Sequence, residues 1–305
     1  MQIETYELER FPSEHRILSA FMSDELYGAL MEEGCIIAGG AITSIFTNRP
    51  VNDIDVYFPS YQAFQNIMFS FFNLTERYIT RKKNFYGGYY MTEDDGETLY
   101  DLGFDDGKVS CITSKSVMLK YNETLIQFIN YAWFQTPEEL FKKYDFVCNM
   151  GAFSKEKWHF HQDFLKHNAQ RYLKFNPETS YPLVSAMRVQ KYKDKGYTIS
   201  KSEFMRIMLA VNRKEINSWA VLFDELGGMY GTQPEQIFDT TKEFSLDYAI
   251  QCLDDIRVTE HMSGDFVFGG DFAEIVVKQP HAFGPEIVKI ASELKPSVKN
   301  GLYLT

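Results

Sequence analysis

The chain has 305 residues, 45% hydrophobic and 24% charged, with a formal net charge of −11. That length admits two modest domains with real cores, and the excess of acid excludes a protein that coats long nucleic acid nonspecifically. Between Lys155 and Lys201, however, ten Lys and Arg stand against four Asp and Glu, a basic stripe that suits a short RNA or equally a solvated helix face. The first residues, MQIETYELERF, are acidic where a signal peptide is basic and then apolar, and no apolar run reaches the ~18 residues of a membrane span. A soluble, cytoplasmic protein without a membrane partner is expected. Cys35, Cys111, Cys148 and Cys252 are scattered without a CxxC pair, which predicts reduced thiols rather than a disulfide framework or a zinc site.

Apolar residues at helical spacing, among them Ile17, Phe21, Leu26 and Leu30, predict one or two helices over Ser13–Glu32, ended by Gly34. Cys35-Ile36-Ile37-Ala38 has the form of a short buried strand, and Gly39-Gly40 turns it into a helix starting near Ala41. A helix start behind glycine lets backbone N–H groups approach phosphate oxygens, and Ser44 adds a hydroxyl to that cradle. In the next strand, Asp53–Phe58, alternate residues share a face, so Asp53 and Asp55 project together while Ile54, Val56 and Phe58 enter a core. Two acids side by side favour a divalent cation, and oxygen-only ligands suit Mg²⁺ or Mn²⁺. The plainer alternative is a pair of turn acids after Val51-Asn52.

A helix follows over Tyr61–Phe72, and Asp94-Asp95-Gly96 and Asp105-Asp106-Gly107 are expected hairpin turns, with Gly87-Gly88 ahead of them. Val109–Leu119 and Leu125–Tyr131 supply strands, Thr136 caps a helix that has Pro137 in its first turn, and Phe146–Phe153 is expected as a further strand. His159, His161 and His167 lie near Asp163, but the alternation Trp158-His159-Phe160-His161 fits an exposed strand or loop at least as well as a metal site. Neither a GxSxG elbow nor a P-loop is present. Strands mixed with helices to about residue 155, then mainly helical patterns, predict an α+β head over residues 1–176 and a mainly α-helical domain over 177–305, divided near Asn176-Pro177. The tail from Asp224 to Asp271 is acidic, with Gly227-Gly228 and Gly269-Gly270 as turns.

Residues Gly39 to Val56, GGAITSIFTNRPVNDIDV, resemble the motif GGAVRDLLLGRPPKDIDI of polymerase-beta-type nucleotidyltransferases, in particular class II CCA-adding enzymes and bacterial poly(A) polymerases. Gly39, Gly40, Ala41, Arg49, Pro50, Asp53, Ile54 and Asp55 match without a gap. Tyr144 to Met150 is similar to that family's RRDFTINA, and Tyr181 to Ile199 to its neck segment DPLRLLRAVRFAAKLGFTI, so the resemblance covers roughly residues 34 to 200. The stretches DFLKH and GYTIS also resemble uncharacterised phage and bacterial nucleotidyltransferase-like proteins.

The resemblance implies a polymerase-beta-like head, a mixed sheet with helices, that transfers NMP from an NTP and releases pyrophosphate. It implies that Asp53 and Asp55 bind Mg²⁺ or Mn²⁺ and that Gly39, Gly40 and Ser44 cradle phosphates. Arg49 either stabilises phosphate charge or pairs with a nearby acid, and Arg188 faces the nucleotide base. Lys115 and Lys120 are further cations within reach of a triphosphate. Where the family has a third carboxylate this chain has Gln127, which leaves Asp145 as third metal ligand or nucleotide contact, with Asp101 behind it. Thr43-Ser44, Lys143-Tyr144 and Tyr181 also depart from the family's pattern. The implied acceptor is an RNA 3′ end, tRNA included; the alternatives are a protein or small-molecule acceptor, as in toxin-like branches, or a nucleotide-binding protein that has lost turnover.

Overall fold

Short runs in which apolar residues alternate with polar ones, or follow one another without break, form nine strands among the described residues: β1 (Ile3–Glu7), β2 (Ile36–Ala38), β3 (Asp53–Tyr57), β4 (Gly88–Tyr89), β5 (Gly107–Thr113), β6 (Ser116–Tyr121), β7 (Thr124–Ile129), β8 (Gly151–Ser154) and β9 (Lys157–His161). They make one sheet in the order β1-β9-β8-β2-β3-β7-β6-β5-β4. Strands β3 and β7 run parallel, and the other described pairings are antiparallel. The computed structural model describes residues 1–72, 88–89, 107–113, 116–121, 124–130, 132–226 and 238–255.

The expected strands at Cys35–Ala38, Asp53–Phe58 and Leu125–Tyr131 are present, shifted or trimmed at their ends. The one strand expected over Val109–Leu119 is instead two, β5 and β6, which double back with Ile112 opposite Val117. Gly88 lies within β4, Gly107 opens β5, and the turn acids Asp94, Asp95, Asp105 and Asp106 lie outside the described residues. Only the last part of Phe146–Phe153 is strand. Before it, Asp145 Oδ1 accepts a bond from Phe146 N at 2.9 Å, and Val147–Asn149 closes as a 3₁₀ turn. Strand β1 was not expected, because five residues with a polar outer face carry little signal. It forms by pairing along β9, Ile3 opposite His161 and Glu7 opposite Lys157, with Lys157 Nζ 2.8 Å from Glu7 Oε1.

The helices of the first part are α1 (Pro12–Ser19), α2 (Asp24–Glu32), α3 (Gly40–Phe46), α4 (Tyr61–Phe72), α5 (Pro137–Phe141) and α6 (Phe164–Gln170). Ser23 caps α2 by accepting from Leu26 N at 3.2 Å, and Thr136 caps α5 as its sequence suggests. Leu18, Leu30, Ile42, Phe64 and Phe164 from these helices bury one face of the sheet, meeting Ile37, Ile54, Val56, Phe128, Trp158 and Phe160. Phe160 and Phe164 stack with ring centres 4.8 Å apart. The other face is covered over only part of its extent, by a smaller cluster that includes Ile36, Ala38, Tyr57, Ile129, Phe141 and Met150. The acids of β3 lie on this second face.

Among the described residues four helices follow: α7 (Pro182–Asp194), α8 (Lys201–Asn212), α9 (Trp219–Leu226) and α10 (Leu246–Asp255). The chain is therefore an α+β head followed by a helical C-terminal region. Its compact units divide between Met208 and Leu209, not at the expected 176/177. The physical reason lies in the bonds that cross the expected boundary. Asn176 Nδ2 donates to Tyr144 O at 2.7 Å, and buried Glu203 accepts from Phe175 N at 3.0 Å and pairs with Lys174 at 2.9 Å. In the second unit, Trp219 is ringed by Phe223, Phe238, Phe244 and Tyr248, and Lys214 pairs with buried Glu225 at 2.8 Å. Gly227-Gly228 and Gly269-Gly270 lie outside the described residues, among which no helix is long and apolar enough to cross a membrane.

Candidate functional site

Strand parity sets the site. On β3, Ile54 and Val56 are fully buried in the main core, so Asp53, Asp55 and Tyr57 share the opposite face. Asp55 stands opposite Ala38 of β2 on one side and opposite Gln127 of β7 on the other. Neighbouring strands lie about 4.8 Å apart, which brings the Gln127 amide alongside the Asp55 carboxylate. Gln127 is 2% exposed; its Nε2 donates to Ser116 Oγ at 3.1 Å, and its buried Oε1 has no hydrogen-bond partner. Two carboxylates and an orphaned amide oxygen form an all-oxygen set that fits Mg²⁺ or Mn²⁺. Among the described residues no group of three His, Cys, Asp or Glu is placed to hold a metal, and the acids brought together here are Asp53 and Asp55.

The glycine turn lies against this pair. Gly39 has φ +86° and ψ −138°, a backbone state open in practice to glycine alone. A Cβ there would sit 3.3 Å from Asp55 Oδ2 and 3.2 Å from Tyr144 Oη. Gly39→Ala is thus expected to cost about 1–3 kcal/mol from backbone strain and to push the Asp55 carboxylate off its position. A thermal melt together with a metal titration would register both effects, and an unchanged melt and affinity would refute them. Gly40 opens α3 with empty space where its side chain would be. Thr43 cannot serve a ligand, because its buried hydroxyl donates to Cys148 O at 2.8 Å. Ser44 is half-buried one turn into α3, and its carbonyl accepts from Arg49 N at 2.8 Å. Tyr144, which sequence reasoning treated only as a departure from a motif, donates from Oη to Tyr57 Oη at 3.2 Å and so borders the acids.

Asp145 is not gathered with Asp53 and Asp55 as a third metal ligand. It is 5% exposed; Oδ1 accepts from the backbone of Phe146 and from Asn149 Nδ2 at 3.4 Å, and Oδ2 lies 3.1 Å from Arg188 Nη1. The carboxylate holds its own turn through Oδ1 and pairs across to α7 through Oδ2. Arg188 also donates from Nη2 to Tyr192 Oη at 3.2 Å, and Asn149 donates to the same hydroxyl. Burial raises the Tyr192 pKa and keeps the phenol protonated.

The cation that sequence reasoning missed is Lys195, at the C-cap of α7. Arg188, Tyr192 and Lys195 fall at i, i+4 and i+7, one stripe of the helix, and Lys195 Nζ lies 6.0 Å from the Tyr192 ring centre. Burial lowers the Lys195 pKa; the nearby Asp53 carboxylate opposes that, while Arg188 and Arg49 add to it. Arg49 reaches the same place from the loop after α3, with Nη2 3.8 Å from where a Cβ on Gly196 would be. In the sequence, Lys191-Tyr192-Lys193-Asp194-Lys195 reads as the solvated end of a helix; only the packing of α7 brings Lys195 to Asp53.

The histidines have local roles. His159 Nδ1 is 3.2 Å from Thr5 Oγ1, His161 Nδ1 accepts from Asp163 N at 3.1 Å, and His167 is buried, with its pKa lowered by that burial. Trp158 and Phe160, between them in sequence, are in the core. Asp101 and Lys115 lie outside the described residues, and Lys120 is on β6.

A family model described as Gabija anti-defense 2 family protein matches residues 12–171. A protein of Bacillus phage SPbetaL7 named Gabija anti-defense 2 is 37% identical over 247 residues, covering 80% of this chain and 54% of that protein. The chain therefore spans about half the length of the curated relative it matches. Solved structures similar to it include a CCA-adding enzyme in complex with ATP, at TM-score 0.44 and 13% identity, covering 96% of this chain and 70% of that one. Another is the Bacillus stearothermophilus CCA-adding enzyme in complex with CTP, at TM-score 0.41 and 11% identity, covering 90% of this chain and 69% of that one.

Proposed function

The chain belongs to the Gabija anti-defense 2 family, and from that premise we propose that it is a metal-dependent nucleotidyltransferase that counters the defense by transferring NMP from an NTP to an acceptor. Asp53 and Asp55, side by side on β3 beneath the Gly39 turn and within the field of Lys195 and Arg49, carry this assignment. Asp53, Asp55 and the Gln127 oxygen would hold Mg²⁺ or Mn²⁺, which supplies Lewis-acid stabilisation of phosphoryl charge. An acceptor oxygen attacks the α-phosphorus as the bond to the α–β bridging oxygen breaks, and pyrophosphate leaves with the electron pair. The acceptor's proton passes to water, because an amide at position 127 cannot take it. Gly39 leaves room for the Asp55 carboxylate beside the phosphates, and Tyr144 limits the space on that side.

The motif resemblance implies an RNA 3′ end, tRNA included, as acceptor. The family's anti-defense name points instead to a component of the Gabija defense, and the acidic net charge agrees with an acceptor other than long nucleic acid. A second reading, an NTP-binding protein without turnover, is favoured by one observation: Gln127 stands where a third acid would complete the site.

The test is incubation with each labelled NTP and Mg²⁺, in total RNA and separately in extract of cells carrying the Gabija defense, with EDTA as control. Label is expected to enter a macromolecule and to vanish with EDTA. Label in RNA selects the terminal-transferase branch, and label in protein selects modification of the defense. Retained NTP with no label in either selects the binding protein and sinks the transferase.

A further inference from the structure

Three cationic side chains, Arg49, Arg188 and Lys195, lie near the acid pair, and their balance is uneven. Arg188 is matched by Asp145 at 3.1 Å. Arg49 and Lys195 close no ion pair within 4.0 Å among the described residues. They come from different parts of the chain, the loop after α3 and the end of α7; Arg49 Nη2 lies 3.8 Å from where a Cβ on Gly196, the residue after Lys195, would be, and its charge is felt at Lys195. If Asp53 and Asp55 are offset by a divalent cation, these two side chains remain as an unmatched pair of positive charges. Holding them together costs free energy unless an anion joins them. A planar guanidinium and a point-charge ammonium, converging from two sides, suit the non-bridging oxygens of a polyphosphate.

We propose that Arg49 and Lys195 seat the β- and γ-phosphates of the nucleoside triphosphate, so that the C-terminal end of α7 recognises the departing pyrophosphate. This rests on the transferase reading of the acid pair. It makes the substrate a triphosphate and not a nucleoside monophosphate or diphosphate sugar, and it assigns recognition of the leaving group to a lysine that the motifs do not mark. The two residues are separated by 146 positions in the sequence, so the seat exists only in the folded protein.

The test is calorimetric titration of the full chain with inorganic tripolyphosphate, Mg²⁺-ATP and AMP. Tripolyphosphate is independent of which base the protein prefers. Lys195→Met and Arg49→Gln are each expected to weaken tripolyphosphate and Mg²⁺-ATP about tenfold or more, while AMP affinity stays within about twofold and Lys195→Arg restores most of the loss. Circular dichroism melts identify any variant that fails to fold, and Arg49→Gln, on a loop, stands as the second variant. Wild-type affinity for tripolyphosphate in both variants would overturn the phosphate seat and leave the acid pair's role intact. No binding of tripolyphosphate or any NTP by the wild type would overturn both.

Discussion

Asp55→Asn is expected to lower the rate of NMP transfer by about 10²- to 10³-fold, the scale at which loss of one preorganised electrostatic group acts in an active site, while the melting temperature moves by only about 2 °C. Asp55 faces away from the main core, and asparagine keeps its shape, so little packing is lost. The substitution also removes one of two like charges on neighbouring positions of a strand face, which works toward stability. Asp53→Asn differs, because Asp53 is the carboxylate that favours the charged form of Lys195. Its loss is expected to cost both transfer and affinity for the phosphates. Rates of label incorporation and calorimetric melts of the two variants, side by side, decide the matter. Full transfer by Asp55→Asn would remove the acid pair from the chemistry.

The largest stability effect is expected from Arg188→Met. It strands Asp145, 6% exposed as a side chain, without its cation, and breaking a buried pair from the cationic side typically costs about 3–5 kcal/mol. Arg188 is 31% exposed, so water reaches part of the guanidinium and the lower end of that range applies. Asp145→Asn is expected to cost less, roughly 1–2 kcal/mol, since its oxygen can still accept from Phe146 N and the arginine left behind is partly solvated. The asymmetry is the diagnostic. Urea unfolding that gives equal losses for both variants, or less than about 1 kcal/mol for Arg188→Met, would show that the pair does not hold α7 to the turn at Asp145.

Where a local pattern determines structure, the sequence was legible. Period-two alternation assigned Asp53 and Asp55 to one face and Ile54, Val56 and Phe58 to the core, and they are so divided. The caps at Thr136 and the helix over Tyr61–Phe72 followed in the same way from short-range chemistry. Gln127 could be read as a neighbour of the acids because its strand could be aligned; the β3–β7 register puts it opposite Asp55. What failed depended on distant partners. The pairing of Asp145 with Arg188, 43 positions later, is a tertiary fact that no local pattern shows. Lys195 was passed over for the same reason. The compact units divide at Met208/Leu209, beyond 176/177, where Asn176 and Glu203 bond back through side chains whose partners no periodicity reveals.

The parallel union of β3 and β7 also has a consequence in time. Asp55 meets Gln127, 72 positions later in the chain, and Lys195 is later still. Pairings of such long range are slow to form, because the entropy of closing the loop is lost before the contact gives anything back. At ordinary rates of synthesis, Lys195 leaves the ribosome on the order of ten seconds after Asp55. On the proposed assignment, transfer waits until the head has closed around α7, and a product terminated before Lys195 is expected to be inert however well its first strands have formed.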